Sequence, residues 1–222
     1  ALLFATGKFY SANETTISAL MNNPCVTCYR PPVPKELSGF PGAEHTVVRK
    51  AGIAFFQNIL GNDQKIIRVM PNTPAAIGQG VSVLCANSYV SDAEKEQVTP
   101  IMAAVGQAFW VDDENLMDAV TAVSGSGPAY LFLLIEEMAK AGVTAGLDAE
   151  LSMSLARQTV IGSAALAAVE AGISAQTLRE NVTSPGGTTA AALSVLMDEN
   201  AWPKNVTEAI IAARDRGREL AQ

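Results

Sequence analysis

Residues 181–189 read Asn-Val-Thr-Ser-Pro-Gly-Gly-Thr-Thr and combine hydroxyl groups, glycines and the start of a predicted helix. Pro185 fixes one φ angle, and Gly186 and Gly187 have no Cβ, so a ligand can approach the backbone closely. The N-terminus of a helix carries partial positive charge and unpaired N–H groups, which suits a carboxylate or a phosphate. The segment therefore predicts an anion site, with a Ser/Thr helix cap after a Pro-Gly turn as the alternative.

A second segment, Val69–Pro74, reads Val-Met-Pro-Asn-Thr-Pro and directly follows a predicted strand. Its two prolines stiffen a turn that leaves Asn72 and Thr73 as short polar groups just past the carboxyl end of the strand. Ligands of open α/β sheets bind beyond such ends. The segment is therefore a candidate ligand-binding turn, and a turn without a ligand is the alternative.

A third segment, Val123–Tyr130, reads Val-Ser-Gly-Ser-Gly-Pro-Ala-Tyr. Pro128 suits the first position of a helix and Ser126 lies near its cap, so we predict that a helix begins here. The small residues favour close contact with another backbone or a ligand. Neither Ser124 nor Ser126 has both glycines of the Gly-x-Ser-x-Gly nucleophile turn, which argues against a serine hydrolase.

Hydrophobic periodicity and cap signals predict the elements that must position these segments. A short helix is predicted at Ile53–Leu60, and a helix at Ser91–Val105 that opens on the capping box Ser91-Asp92-Ala93-Glu94. The predicted strands are Lys65–Met70, Gly80–Ala86 and Gln107–Val111. After residue 112 we predict helices only, at Glu114–Val123, Pro128–Ala141, Ala149–Ala171, Ala175–Val182, Gly187–Asn200 and Pro203–Leu220.

Residues 1–50 differ in composition from the rest and hold five of the eleven prolines. A strand at Ala1–Phe9 and a helix at Glu14–Met21 are predicted here, with loops after them. Cys25-Val-Thr-Cys28 has the spacing of a redox or metal site, but zinc needs more ligands and His45 is the only histidine of the chain. We therefore predict ordinary thiols and no metal.

The composition excludes several classes of protein. The chain is 49% hydrophobic and only 17% charged, which is not the composition of a disordered chain, and its net charge of -7 argues against a nucleic-acid partner. The uncharged stretch Ala119–Ile135 contains Ser-Gly-Ser-Gly-Pro and is a poor membrane span. We predict no membrane partner and a cytoplasmic location.

One predicted helix bears on assembly, because its only charge between Leu151 and Val169 is Arg157. A helix that is apolar on nearly all sides needs protein around it. An intertwined dimer would supply that protein, and a central position in a monomeric bundle is the alternative.

The three polar segments together, in this order and spacing, resemble pyrroline-5-carboxylate reductase. The resemblance extends from about Ala51 to Leu220. It implies reduction of the cyclic imine 1-pyrroline-5-carboxylate to L-proline with hydride from NADPH or NADH, the last step of proline biosynthesis. It also implies an α/β Rossmann-type dinucleotide-binding domain, here residues 1–111, followed by an all-α domain over residues 112–222 that forms an interlocked homodimer or a higher ring.

The resemblance also assigns roles to residues, in a site shared by two subunits. It implies that Ser184 and the backbone N–H groups of Gly187, Thr188 and Thr189 hold the substrate carboxylate. The Thr189 hydroxyl would lie near the ring nitrogen and is the catalytic candidate. Glu114 would also contact the substrate. The implied cofactor-binding residues are Ala51, Met70, Asn72, Thr73 and Asn181.

The first fifty residues do not match the family. A Rossmann domain begins with a strand and Gly-x-Gly-x-x-Gly for the pyrophosphate, whereas the only glycines here are Gly7, Gly39 and Gly42. We therefore predict an incomplete or altered Rossmann-like domain. The alternative function is that of a non-catalytic dimerising protein without a working dinucleotide site.

Overall fold

The computed structural model describes residues 2–4 and 52–221 of the 222-residue chain. Strands and helices alternate in the first part, and the second part is helical. The first part contains β1 (Leu2–Phe4), α1 (Ile53–Leu60), β2 (Ile67–Met70), a 3₁₀ helix (Thr73–Ile77), β3 (Gly80–Ala86), α2 (Asp92–Ala103) and β4 (Gly106–Trp110). The second contains a 3₁₀ helix (Glu114–Leu116), α3 (Met117–Val120), a π-helical turn (Thr121–Gly125), α4 (Gly127–Thr144), α5 (Ala149–Val169), α6 (Ala175–Asn181), α7 (Thr188–Leu196) and α8 (Trp202–Ala221).

The predicted fold class, an α/β part followed by an all-α part, is confirmed for the described residues. The predicted bounds of Ile53–Leu60 and Gly80–Ala86 are those of α1 and β3, and other bounds differ by a few residues. The predictions for the helix Glu14–Met21, for the thiols of Cys25 and Cys28 and for the Ala51 contact lie outside the described residues.

The four strands of the described residues form one sheet in the order β1-β2-β3-β4. β1 and β2 are parallel, β2 and β3 are antiparallel with Val69 opposite Leu84, and β3 and β4 are parallel with Leu84 opposite Trp110. Since parallel neighbours need a crossover, α2 connects β3 to β4. The carboxyl end of β2 leads directly into the turn Met70–Thr73.

Alternation along the strands gives the sheet two apolar faces. One face joins Ile66, Met70 and Cys85 to Ile53 of α1 and Met117 of α3. The other face packs its apolar side chains against α2, with the buried core residues Ile67, Val69, Leu84, Val90 and Met102. Arg68 lies between Ile67 and Val69 and therefore points to the first face, the face covered by α1 and α3.

The predicted capping box at α2 is confirmed. The N–H and the hydroxyl of Ser91 both donate to Oε2 of Glu94, and Lys65 Nζ lies 2.6 Å from Oε1 of the same carboxylate. The Lys65 hydrogen bond, followed by those from Ser91, lowers the pKa of Glu94 to about 2. This stabilisation is present above the usual pKa of a glutamate and is lost as the pH falls towards 2.

The described chain divides into two compact units. One unit holds the described residues up to Pro128 together with those from Ile210 onward, and the other holds Ala129–Ala209. In the second unit, α4 and α5 pack closely where Gly142 faces Ser152. The Ser152 hydroxyl is buried and donates to the carbonyl oxygen of Ala139 at 2.7 Å, so it fixes the approach of the two helices.

Gly142→Ala is expected to destabilise the fold by about 2 kcal/mol, because the new Cβ would overlap the Ser152 hydroxyl oxygen. Equilibrium urea unfolding at one fixed protein concentration measures the change. In a Ser152→Ala background, where that oxygen is gone, Gly142→Ala should cost clearly less. Equal costs in both backgrounds would show that the Ser152 contact does not limit the approach of α4 to α5.

Candidate functional site

A partly buried ion pair connects β2, α1 and the first 3₁₀ helix of the all-α part. Arg68 Nη1 donates to Oε1 of Glu114 at 2.8 Å, and the backbone N–H of Ile53 donates to the same oxygen at 2.8 Å. The carboxylate therefore lies at the N-terminus of α1, where the helix dipole favours negative charge. A Cβ on Gly52 would lie 3.3 Å from Oε1, so glycine leaves room for this contact.

The two partners of this pair differ in exposure. The Arg68 side chain is 9% exposed and the Glu114 side chain is 30% exposed. Arg68 Nε is buried without a hydrogen-bond partner among the described residues, where the guanidinium depends on Glu114 for its compensation. Oε2 of Glu114 accepts no hydrogen bond from a described residue. The Glu114 carboxylate thus has one oxygen used within the fold and one available to a ligand.

The thiol next to this ion pair is buried, and its pKa is raised. Cys85 lies buried on the same face of the sheet as Arg68. Burial, followed by the negative charge of Glu114, raises the pKa of Cys85. Because the thiolate is the reactive form, Cys85 acts as a small apolar core residue.

The three predicted cofactor residues in the turn after β2 differ in exposure and in hydrogen bonding. The Met70 side chain is buried in the core, and the Thr73 side chain is exposed at the start of a 3₁₀ helix. The Asn72 amide accepts from the N–H of Val81 at 2.9 Å and donates to the carbonyl oxygen of Ser124 at 3.2 Å. The turn is thus fixed from both sides and leaves the Thr73 hydroxyl open to solvent.

The predicted helix start near Ser126 is confirmed, since α4 begins at Gly127 with Pro128 in its first turn, but helical turns precede it directly. Met117–Val120 is already α-helical, and the chain continues through the π-helical turn into α4, with Ser126 N–H donating to the carbonyl oxygen of Thr121 at 2.8 Å. The Ser124 hydroxyl donates to the carbonyl oxygen of Val120 at 2.9 Å. Such a hydrogen bond engages the hydroxyl within the helix, and single π turns are frequent at functional sites.

The segment Asn181–Thr189 belongs to the second unit and ends at the N-terminus of α7. The N–H of Gly187 donates to the carbonyl oxygen of Ser184 at 3.0 Å, and Gly186 has φ +68°, a conformation that favours glycine. Gly187 occupies the N-cap position, and no side chain in the described part of the protein caps the helix. The alternative of a Ser/Thr helix cap is therefore wrong.

Open hydrogen-bonding groups surround this helix end. Among the described residues, none accepts from the N–H of Thr188 or Thr189, and none bonds to the hydroxyls of Ser184, Thr188 or Thr189. The Gly187 N–H, which the resemblance implies for the substrate carboxylate, donates within the turn to Ser184. Asn181, the last residue of α6, is exposed. The arrangement presents several donors and a positive helix end to one small volume.

An open groove of about 380 Å³ lies between α6 and α7. Arg179 and Glu180 of α6 and Ala190, Leu193 and Met197 of α7 are among its lining residues. None of the predicted site residues lines it, so we do not assign the groove to the predicted site.

Comparison with known proteins gives a consistent match. A family model described as pyrroline-5-carboxylate reductase dimerisation matches residues 114–220. The chain is 47% identical over 163 residues to a pyrroline-5-carboxylate reductase of Pseudomonas aeruginosa, a match that covers 73% of this chain and 59% of that protein. The chain thus spans less than two thirds of this curated relative.

Solved structures agree with this match. A pyrroline-5-carboxylate reductase from Coxiella burnetii is 39% identical, with a TM-score of 0.73, over 78% of this chain and 63% of that one. The pyrroline carboxylate reductase of Plasmodium falciparum, solved with NADP bound, is 36% identical with a TM-score of 0.66, over 78% of this chain and 68% of that one.

Proposed function

The chain belongs to the pyrroline-5-carboxylate reductase family, and from this we propose that it reduces 1-pyrroline-5-carboxylate to L-proline with a nicotinamide cofactor. The observation that carries the proposal is the uncapped N-terminus of α7, with its open N–H groups and hydroxyls. A cyclic imine carboxylate needs an anion site of this kind. We also propose a place in cytoplasmic proline biosynthesis.

The substrate carboxylate is proposed to lie at the N-terminus of α7. The N–H groups of Thr188 and Thr189 point out of the helix end, and the Ser184 hydroxyl is exposed on the turn before it. The N–H of Gly187 donates within the turn and is therefore not offered to the carboxylate. Gly187 contributes instead by its missing Cβ, which leaves room for the ligand. Backbone donors and the helix dipole together suit a carboxylate without any lysine or arginine.

The Thr189 hydroxyl is proposed as the catalytic group that contacts the ring nitrogen. A protonated imine is already electrophilic, so the protein has to position the ring and stabilise the nitrogen as it becomes an amine. Thr189 itself carries one of the proposed carboxylate-binding N–H groups, so its hydroxyl lies beside the same small volume. Glu114 is proposed to contact the substrate through Oε2, because Oε1 is held by Arg68 and Ile53.

The proposed cofactor is NADPH or NADH, which supplies a hydride when bound. Residues at the carboxyl end of β2 suit the nicotinamide end of such a molecule, because Thr73 is exposed beyond the strand and Asn72 holds the turn. Met70 would contribute backbone rather than its buried side chain. Ala51 and Asn181 complete the proposed set of cofactor contacts.

We infer that the all-α part associates with a second copy of this chain, as an interlocked homodimer or a ring. The family description names dimerisation, and the helices leave large apolar side chains exposed, among them Leu131, Phe132, Leu133, Leu155, Ile161, Leu166 and Val169. Length and composition alone would let Glu114–Thr144 cross a membrane, but a partner helix covers such a surface equally well.

The functional boundary between the two domains is proposed near residue 112.

The proposed function predicts that the protein oxidises NADPH in the presence of 1-pyrroline-5-carboxylate and forms proline. Absorbance at 340 nm follows the reaction, and fluorescence titration measures the NADPH dissociation constant, expected to be on the order of micromolar. NADPH without imine is the control. No binding at roughly millimolar NADPH would instead favour the non-catalytic dimerising protein, and proline binding without NADPH oxidation would favour a carboxylate-binding protein.

A further inference from the structure

The Asn72 side chain joins two segments that are 52 residues apart in the chain. Its Oδ1 accepts from the N–H of Val81, and its Nδ2 donates to the carbonyl oxygen of Ser124. A backbone N–H can only donate and a carbonyl oxygen can only accept, so these partners fix which end of the amide is which. Both ends of the amide are thus used by backbone groups of the same unit.

The identity of residue 128 explains why Ser124 receives a side-chain donor. In an α-helix the carbonyl oxygen of Ser124 would accept from the N–H of residue 128. Residue 128 is proline and has no N–H. Ser124 lies in the π-helical turn, in which Ser126 donates to Thr121, and its carbonyl oxygen accepts from the Asn72 amide there.

Packing at the same place is tight. A Cβ on Gly125 would lie 3.3 Å from Cγ2 of Thr121 and 3.9 Å from Sδ of Met70. The π-helical turn therefore lies against the Met70 side chain at the end of β2, where the Asn72 amide reaches the carbonyl oxygen of Ser124. The segments Val69–Pro74 and Val123–Tyr130, separate in sequence, meet through this one amide.

We propose that Asn72 is a positioning residue that replaces the N–H missing at Pro128 and so holds the Met70–Thr73 turn against the start of α4. It acts on a cofactor through the turn, because its own amide is already occupied. This role rests on the proposed function, in which the turn serves the nicotinamide end of the cofactor.

A double-mutant cycle in equilibrium urea unfolding tests the hydrogen bond without reference to activity. Asn72→Asp keeps an acceptor for Val81 and removes the donor to Ser124, so it should lower the folding equilibrium constant about fivefold. In a Pro128→Ala background the new N–H of residue 128 can serve Ser124, and the loss should be about twofold or less. Equal losses in both backgrounds would overturn the proposal. Asn72→Ser replaces Asn72→Asp if the latter does not fold.

Kinetics test the positioning role. Asn72→Asp should raise the KM for NADPH about tenfold while the KM for the imine changes little, since a displaced turn affects the cofactor first. Asn58→Asp, the same change on the exposed face of α1, should leave both KM values unchanged. An unchanged KM for NADPH in Asn72→Asp would contradict the role. A wild-type protein that neither binds nor oxidises NADPH would overturn the proposed function instead. The unfolding cycle would then still show whether the Asn72–Ser124 hydrogen bond replaces the N–H missing at Pro128.

Discussion

Thr189→Ala is expected to lower kcat/KM for the imine about a hundredfold while the free energy of unfolding changes by less than about 1 kcal/mol. The hydroxyl lies at the open N-terminus of α7 and has no hydrogen bond to a described residue, so the fold loses little with it. In the proposed reaction it meets the nitrogen whose bonding changes, so the loss should fall on kcat as well as on KM. Initial rates of NADPH oxidation over a range of imine concentrations measure both constants.

Two matched variants separate an effect of the Thr189 hydroxyl on the reaction from an effect on the stability of α7. Thr189→Ser keeps a hydroxyl and should recover most of the lost activity. Ser194→Ala removes a hydroxyl from the same helix, one that donates to the carbonyl oxygen of Ala191 at 2.7 Å, and should leave kcat/KM unchanged. A Thr189→Ala protein with wild-type kcat/KM would remove Thr189 from the proposed mechanism.

The elements that the sequence predicts well are those with local causes. β3 reads Gly-Val-Ser-Val-Leu-Cys-Ala, a short apolar run between turn residues, and α2 opens on a capping box whose members are three residues apart. Each signal lies within or directly beside its own element, and no distant residue is needed to produce it. The turn after β2 follows in the same way from its two prolines.

What the sequence does not show depends on residues far apart in the chain. The sequence does not show the π-helical turn, because Pro128 correctly indicates a helix start but gives no sign that helical turns from Met117 to Gly125 precede it. The Arg68–Glu114 pair spans 46 positions and was also missed. One signal could have revealed it: Arg68 is a charge inside a buried strand, and such a charge needs a partner on the covering elements.

Arg68→Met is expected to destabilise the protein by about 2 kcal/mol, and Glu114→Leu by about 3–5 kcal/mol. The expected order of the two losses in stability follows from the different exposure of the two side chains. Without Arg68, the Glu114 carboxylate keeps the Ile53 N–H and some water, since it is 30% exposed, whereas without Glu114 the guanidinium is left charged in a site that is only 9% exposed. Urea unfolding at one protein concentration measures both losses.

The double variant Arg68→Met/Glu114→Leu decides whether the ion pair stabilises the fold or only avoids a buried unpaired charge. We expect it to lose less than the sum of the single variants, because two apolar side chains leave no charge to compensate. Lys140→Met is the control, since Lys140 pairs with Glu136 at 2.7 Å and with Glu137 at 2.8 Å on the exposed surface, and its loss should change the stability little. Strictly additive losses at Arg68 and Glu114 would mean that the two side chains act independently, and that the carboxylate is held at the N-terminus of α1 by Ile53 alone.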